Sequence, residues 1–169
     1  LLKQREGGTP GSLTVKWLNG NNAGNLRSSV EYRFKPAKTE FEKYRQYVFD
    51  DPSVDFYSET VRMFEGTTDE KGEASVSFNP GTDIPAPGML NAVFTVKAAE
   101  KGGDESITQK LYRYSPYETY VGLNLPGLKE NERMIFTDTD HELRIATVDP
   151  QGKPVDTRVD IYFYRINYR

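Results

Sequence analysis

The chain has 169 residues, no cysteine and a net charge of −3, so neither a disulfide bond nor a cysteine-based zinc site can form within it. Basic and acidic residues are interspersed, and no Lys/Arg block is present that could neutralise phosphates, which argues against nucleic acid as a partner. No apolar run approaches the roughly 20 residues of a membrane-spanning helix.

The predicted elements of the first two thirds of the chain are β-strands. Apolar and polar residues alternate over four stretches: 13–17, 30–34, 74–78 and 92–98. A period of two places one face of each strand on a core and the other toward water. Turn residues separate the stretches at 19–22, 69–72, 79–81 and 101–104. This succession predicts an all-β, immunoglobulin-like β-sandwich. Trp17 falls in phase with Leu13 and Val15, which predicts a core position for it.

Two stretches of this region do not follow the strand pattern. Residues 38–48 carry Phe41, Tyr44 and Val48 at helix-like spacing, which predicts either one short helix or an irregular crossover. The loop 79–88 is rich in proline and glycine, and we expect it to be extended and exposed at the surface.

An internal repeat predicts a second domain. Residues 12–18 resemble 142–148, and 30–34 resemble 159–163, in the same order and at nearly the same offset. We therefore predict two β-sandwiches in tandem, at 1–115 and 116–169, joined by a stiff Pro-containing junction. We expect the second domain to be incomplete. The region upstream of Leu1 is a candidate position for the first strand of the first domain.

The second domain contains only three strand candidates: 120–125, 143–148 and 159–168. Three strands with one apolar face are near the limit of independent stability. We therefore expect the second half to be ordered only through a partner, which is either the first domain, a second copy of this chain or a neighbouring molecule in a crystal.

One cluster could bind a cation. Three carboxylates flank the single histidine, His141, in the stretch 138–142, and such a set could hold a divalent ion or act as an acid–base pair. A polar loop leading into the next strand is the simpler interpretation. The serines at 28, 29, 75 and 77 lack a neighbouring base. We therefore predict no catalytic, cofactor-binding or metal-binding residues, no cofactor, and no enzymatic activity.

Aromatic residues close the chain. Tyr162, Phe163 and Tyr164, with Tyr168, could form a stacking platform for a ligand such as a sugar, but outward tyrosines of a multidomain protein more often pack on the next domain. We favour packing.

Four stretches together resemble one known family: 18–23, 66–74, 114–122 and 145–155, the last followed by Val159 to Arg165. In order and spacing they are similar to bacterial alpha-2-macroglobulin-like proteins, in the macroglobulin domains ahead of the thioester region. The resemblance implies non-catalytic structural domains of an exported endopeptidase inhibitor, a protease trap whose bacterial members are periplasmic and often lipid-anchored.

The resemblance also implies the partners, namely neighbouring domains of the same polypeptide and the proteases trapped by the full-length protein. Neither a bait segment nor the family's Cys-x-x-Gln thioester is recognisable in this chain. Two alternative functions remain open: an Ig-like adhesin or carbohydrate-binding surface module, and an accessory β-domain of a secreted hydrolase.

Overall fold

The computed structural model describes residues 1–3, 8–81, 84–100, 102–127 and 139–162. Over these residues the structure is built of β-strands and one short 3₁₀ helix, Glu42–Tyr44, and no described residue lies in an α-helix. The predicted all-β class is thereby confirmed. The strands are β1 (Leu2–Lys3), β2 (Thr9–Thr14), β3 (Arg27–Pro36), β4 (Val61–Thr67), β5 (Glu73–Phe78), β6 (Leu90–Ala99), β7 (Glu105–Ser115), β8 (Tyr120–Asn124) and β9 (Arg144–Val148). No helix in the described part of the chain is long and apolar enough to cross a membrane.

The chain divides into two compact units. Unit 1 comprises residues 1–39 and 50–117, and unit 2 comprises residues 40–49 and 118–169. The ten residues 40–49, which the sequence placed within the first domain, thus group with the second half of the chain. The two predicted tandem domains, 1–115 and 116–169, stay a prediction.

Unit 1 contains two sheets. Five strands form one sheet in the order β1-β7-β6-β3-β4, in which only the β1–β7 pair is parallel, and β2 and β5 form a separate antiparallel pair. Strands predicted at 30–34, 74–78 and 92–98 are confirmed and lie within β3, β5 and β6. The sequence did not reveal β7, because residues 105–112 are all exposed and show no period of two.

Aromatic side chains build the core of unit 1. Phe78 of β5 packs on Tyr32 of β3, with ring centroids 4.9 Å apart, and Phe34 packs on Tyr114 at 4.7 Å. All four are buried, together with Ala86, Leu90 and Ala92. Large rings fill this space with few residues, each burying roughly 150–250 Å². The core therefore joins the inward faces of the two sheets through Phe78.

The loop 79–88 is anchored more deeply than we expected. The Tyr117 hydroxyl accepts a hydrogen bond from the Ala86 amide at 3.0 Å and donates one to the Ala86 carbonyl at 2.6 Å. Ala86 and Gly88 are buried, so the prediction of a surface-exposed loop is wrong at these two positions.

Trp17 is not a core residue, contrary to the sequence prediction. Its side chain is 40% exposed. β2 ends at Thr14, opposite Glu73 of β5, and beyond it the chain makes its own hairpin, in which Lys16 pairs with Asn22. The alternation continues in phase, but the partner strand has ended, so no core faces Trp17.

The exposure of Trp17 predicts the fluorescence of the native protein, since this is the only tryptophan. We expect an emission maximum close to that of free tryptophan and efficient quenching by iodide. We also expect Trp17→Ala to change the free energy of unfolding by less than about 1 kcal/mol, as for other surface positions. A blue-shifted emission that iodide does not quench would contradict the structure.

Unit 2 is built around one antiparallel hairpin, in which β8 pairs with β9 from Tyr120↔Val148 to Asn124↔Arg144. This confirms the strands predicted at 120–125 and 143–148. The predicted strand at 159–168 is wrong over 159–162, which form no strand, and 163–168 lies outside the described residues. After β9 the chain turns and Val155 donates its amide to the Thr147 carbonyl at 3.0 Å.

Residues 40–49 complete this unit. They form the irregular crossover that we considered, with a single 3₁₀ turn at Glu42–Tyr44. Val48 and Leu123 exchange both backbone hydrogen bonds, at 2.8 and 2.9 Å, and so extend the hairpin beyond β8. Residues from the first third of the sequence thus contribute backbone pairing to unit 2.

Candidate functional site

The stretch around His141 forms a polar loop in which one of the two described carboxylates, that of Glu142, is engaged in an ion pair. The Arg144 guanidinium donates to both carboxylate oxygens of Glu142, at 2.7 and 3.1 Å, and this hydrogen bonding lowers the pKa of the Glu142 carboxyl. His141 itself contacts the Thr139 hydroxyl at 3.2 Å. Asp138 lies outside the described residues. Among those described, no group of three or more His, Cys, Asp or Glu side chains could hold a metal ion.

The other candidate side chains serve local structure. Ser28 is buried on β3 and donates its hydroxyl to the Leu26 carbonyl at 3.3 Å. Ser75 and Ser77 are exposed on β5. Of the aromatic residues for which we favoured packing over a ligand platform, Tyr162 is exposed, while Phe163, Tyr164 and Tyr168 lie outside the described residues. In the described part of the chain, no hydrogen bond joins any of these serines to a side-chain base.

A groove of about 350 Å³ opens in unit 1 beside Pro36, Asp51, Asp55 and Pro87. The Asp51 carboxylate is committed to its own turn. It accepts the Ser53 hydroxyl at 2.6 Å and the Ser53 amide at 2.9 Å, and the hydroxyl contact is the main cause of the lowered pKa of Asp51. Asp51 is therefore a turn residue.

A clamp in unit 1 holds together the two residues that flank the segment 40–49. Both carboxylate oxygens of Asp50 accept the Thr39 amide, at 3.1 Å each, and the Thr39 hydroxyl accepts the Met89 amide at 2.7 Å. A Cβ at Gly88 would collide with the Asp50 carboxylate and the Thr39 hydroxyl. Glycine at position 88 therefore allows the chain segments around Thr39, Asp50 and Gly88 to meet. The clamp joins the two ends of the ten-residue segment 40–49, called the excursion below.

The excursion carries two phenylalanines into the core of unit 2. Phe41 packs edge-on against Phe49, with centroids 4.8 Å apart, and against Tyr120 of β8 at 5.8 Å. A Cβ at Gly122 would lie 2.5 Å from the Phe49 ring, so the ring rests directly on the backbone of β8. Gly152 approaches Phe41 in the same way, at 2.9 Å. Sequence reasoning noted the aromatic spacing of this segment but could not show what the rings contact.

Each unit contains the same aspartate turn. In unit 1, the Asp69 carboxylate accepts the amides of Lys71 and Glu73 at 2.9 and 2.7 Å, and the Gly72 amide donates to the Asp69 carbonyl at 3.0 Å. Gly72 has φ +77°, a left-handed conformation that glycine adopts without strain. The side chain of Asp69 therefore replaces solvent at two backbone donors.

The equivalent turn in unit 2 follows β9. The Asp149 carboxylate accepts the amides of Gln151 and Lys153 at 2.8 and 3.0 Å, and the Gly152 amide donates to the Asp149 carbonyl at 2.9 Å. Gly152 has φ +79°. The repeated turn in the structure thus relates 69–73 to 149–153, whereas the repeat predicted from the sequence related 12–18 to 142–148.

We expect Asp69→Ala to lower the free energy of unfolding of unit 1 by about 1–2 kcal/mol, because two amides lose a charged acceptor, as in the loss of a helix cap. Asp69→Asn keeps the side-chain oxygen and should recover most of this loss. Chemical denaturation of the three proteins provides the measurement. Equal destabilisation by Ala and Asn would show that the oxygen acceptor is not what stabilises the turn.

Comparison with protein families identifies the larger unit. The model of the bacterial alpha-2-macroglobulin MG5 domain matches residues 4–114, about two thirds of the chain. The chain belongs to this family. The matched range contains strands β2 to β6, nearly all of β7, and the segment 40–49 that groups with unit 2. The resemblance seen in the sequence is confirmed. No curated protein sequence matches the chain.

Solved structures share the macroglobulin fold at low sequence identity. The native conformation of E. coli alpha-2-macroglobulin matches with a TM-score of 0.56 and 17% identity over 85% of this chain and 10% of that chain. E. coli alpha-2-macroglobulin activated by porcine elastase matches with 0.58 and 16%, over 86% and 13%. Salmonella alpha-2-macroglobulin reacted with methylamine matches with 0.58 and 14%, over 86% and 10%.

The covered share of the chain shows that the similarity to solved structures extends beyond unit 1. Unit 1 holds less than two thirds of the residues, so a match over 85% of the chain includes part of unit 2 as well. The chain spans about a tenth of the length of these relatives.

Proposed function

We propose that the chain is a non-catalytic structural module of an exported alpha-2-macroglobulin-like endopeptidase inhibitor that traps proteases. The observation that carries the proposal is the family match over residues 4–114. The internal geometry agrees with a scaffold role, because the carboxylates of Asp50, Asp69 and Glu142 are engaged in a clamp, a turn and an ion pair. The proposed partners are neighbouring domains of the same polypeptide and the proteases that the full-length protein would enclose.

The similar E. coli protein has been solved after activation by porcine elastase and after activation by trypsin. We propose by analogy that a polypeptide containing this chain responds to proteases in the same way, in the periplasm or cell envelope and, where a lipid anchor exists, attached through a region outside this chain. A module of this size cannot surround an enzyme by itself, so trapping would belong to the whole assembly.

The test compares the chain with the full-length polypeptide that contains it, each mixed with elastase or trypsin. The full-length protein should block cleavage of a large protein substrate while a small peptide substrate is still cleaved, because a cage excludes substrates by size. The chain alone should inhibit neither reaction. Failure of the full-length protein to protect the large substrate, or potent inhibition by the chain alone, would refute the proposal.

A further inference from the structure

The outer face of the large sheet in unit 1 is basic near the end of β3. Tyr32 and Phe34 lie in the core, so the residues of β3 with odd numbers point outward. Arg33 and Lys35 are both exposed on this face. Outward neighbours on one strand are about 7 Å apart, so the two cations stand side by side.

The register of the sheet brings a third cation to the same place. Lys35 of β3 lies opposite Asn91 of β6, and Asn91 lies opposite Arg113 of β7. Tyr114 is a core residue, so Arg113 before it points outward. Two strand spacings, about 10 Å, separate Arg113 from Lys35. Arg33, Lys35 and Arg113 thus form one cluster, the basic patch, from segments that are far apart in the sequence.

The charge of the basic patch is not balanced within the described part of the chain. Among the described residues, no carboxylate forms an ion pair with any of its three cations. The Arg113 guanidinium donates to the Lys38 carbonyl, which is a neutral acceptor. The nearby outward carboxylate of Glu31 is paired with Lys97, at 3.5 Å. Three like charges therefore stand together, and carboxylates that approach them relieve their repulsion.

Apolar side chains adjoin the basic patch on the same face. Leu111 of β7 lies opposite Val93 of β6, which in turn lies opposite Arg33. Leu111 is 60% exposed, and Ile107, two outward positions before it, is 58% exposed. Arginine beside apolar side chains is typical of protein–protein interfaces. A nucleic acid or an acidic polysaccharide has no apolar side chains to cover the leucine and the isoleucine, so this mixed face fits a protein surface.

We propose that the basic patch docks on an acidic, partly apolar surface of another domain of the same polypeptide. This chain covers 10% of the length of solved relatives, so most of a polypeptide of that kind consists of other domains. Complementary charges would fix the orientation of the two domains. The inference rests on the proposed function only in that the chain is one module of a longer polypeptide, and it does not depend on protease trapping.

Zero-length cross-linking of the full-length polypeptide tests which group occupies the basic patch. A carbodiimide joins a lysine amine directly to a carboxylate in contact with it, and peptide mass spectrometry locates the bond. We expect Lys35 to be joined to an aspartate or glutamate outside this chain in the full-length polypeptide, and to form no cross-link in the isolated chain. Lys97 should be joined to Glu31 in both samples, because the two are 3.5 Å apart, and this bond reports that unit 1 is folded.

Acetylation measures how well the basic patch is covered. Lys35 should react at least about tenfold more slowly in the full-length polypeptide than in the isolated chain, because the docked surfaces must first separate. Arg33→Gln removes a charge beside Lys35 and should lower both this protection and the yield of the Lys35 cross-link. Lys71→Gln removes the same charge from an exposed turn of unit 1 and is the matched control, which should change neither.

Equal acetylation of Lys35 in the two samples would overturn the proposal. Protection of Lys35 without a cross-link to a carboxylate, or cross-links only between isotopically light and heavy copies, would also overturn it, because the occupant would be neither acidic nor part of the same polypeptide. The proposed function fails separately: a full-length protein that shows the Lys35 cross-link but leaves a large substrate unprotected from elastase would refute trapping and not the docking.

Discussion

Replacing Phe78 by alanine should lower the free energy of unfolding of unit 1 by about 3–5 kcal/mol, as for other large-to-small changes in a core. Phe78 is 4% exposed, and its ring lies 4.9 to 6.2 Å from the rings of Tyr32, Phe34, Phe94 and Tyr114. It is the aromatic residue of β5 that reaches the large sheet, so its loss leaves a cavity between the sheets. Denaturant unfolding monitored by far-ultraviolet circular dichroism measures the effect.

The control for Phe78→Ala is Tyr57→Ala, which removes an aromatic side chain that is 86% exposed. This change should cost less than about 1 kcal/mol. Phe78→Leu, which keeps most of the volume, should fall between the two. If Phe78→Ala and Tyr57→Ala were equally mild, the aromatic cluster would not be the core of unit 1.

Replacing Phe49 by alanine should destabilise unit 2 by about 3–4 kcal/mol, although position 49 lies among residues assigned by sequence to the first domain. The Phe49 ring covers the backbone of Gly122 and packs on Phe41 at 4.8 Å. Hydrogen exchange separates the two units: amides of β8 and β9 should exchange much faster, while those of β3 and β6 should stay protected. Faster exchange in β3 and β6 alone would show that Phe49 belongs to the other core.

A second substitution tests the same contact from the opposite side. Gly122→Ala adds a methyl group at 2.5 Å from the Phe49 ring and should cost about 1–3 kcal/mol through overpacking. In the double variant with Phe49→Ala the ring is gone, so the added methyl group should cost much less than in the wild type. Additive effects would mean that the two residues do not touch in solution.

The local alternation of apolar and polar residues was sufficient to predict a strand that has one buried and one exposed face. The alternation of Val30, Tyr32 and Phe34 predicted β3, and all three are buried. The aspartate and glycine spacing at 69–72 also predicted a turn, because the carboxylate and the left-handed glycine act within five residues. The family resemblance rested on such local signals and was confirmed by the match over residues 4–114.

The alternation of apolar and polar residues failed as a guide where the environment of a residue depends on segments far away in the sequence. Trp17 continues the phase of β2, but it is exposed because the partner strand β5 begins at Glu73, opposite Thr14, and has no residue opposite position 17. β7 carried no signal, since its residues 105–112 are all exposed and show no alternation of apolar and polar side chains.

The sequence by itself determined the all-β class, the positions of the two-faced strands, the Asp-Gly turns and the absence of cysteine chemistry. The tertiary structure alone decided where residues 40–49 belong. Their helix-like aromatic spacing favours the same local conformation whichever unit they join. Phe41 and Phe49 become buried by packing on the hairpin that contains β8, more than 70 residues further along the chain. Burial of large rings outweighs local propensity, and which surface buries them is a property of the whole fold.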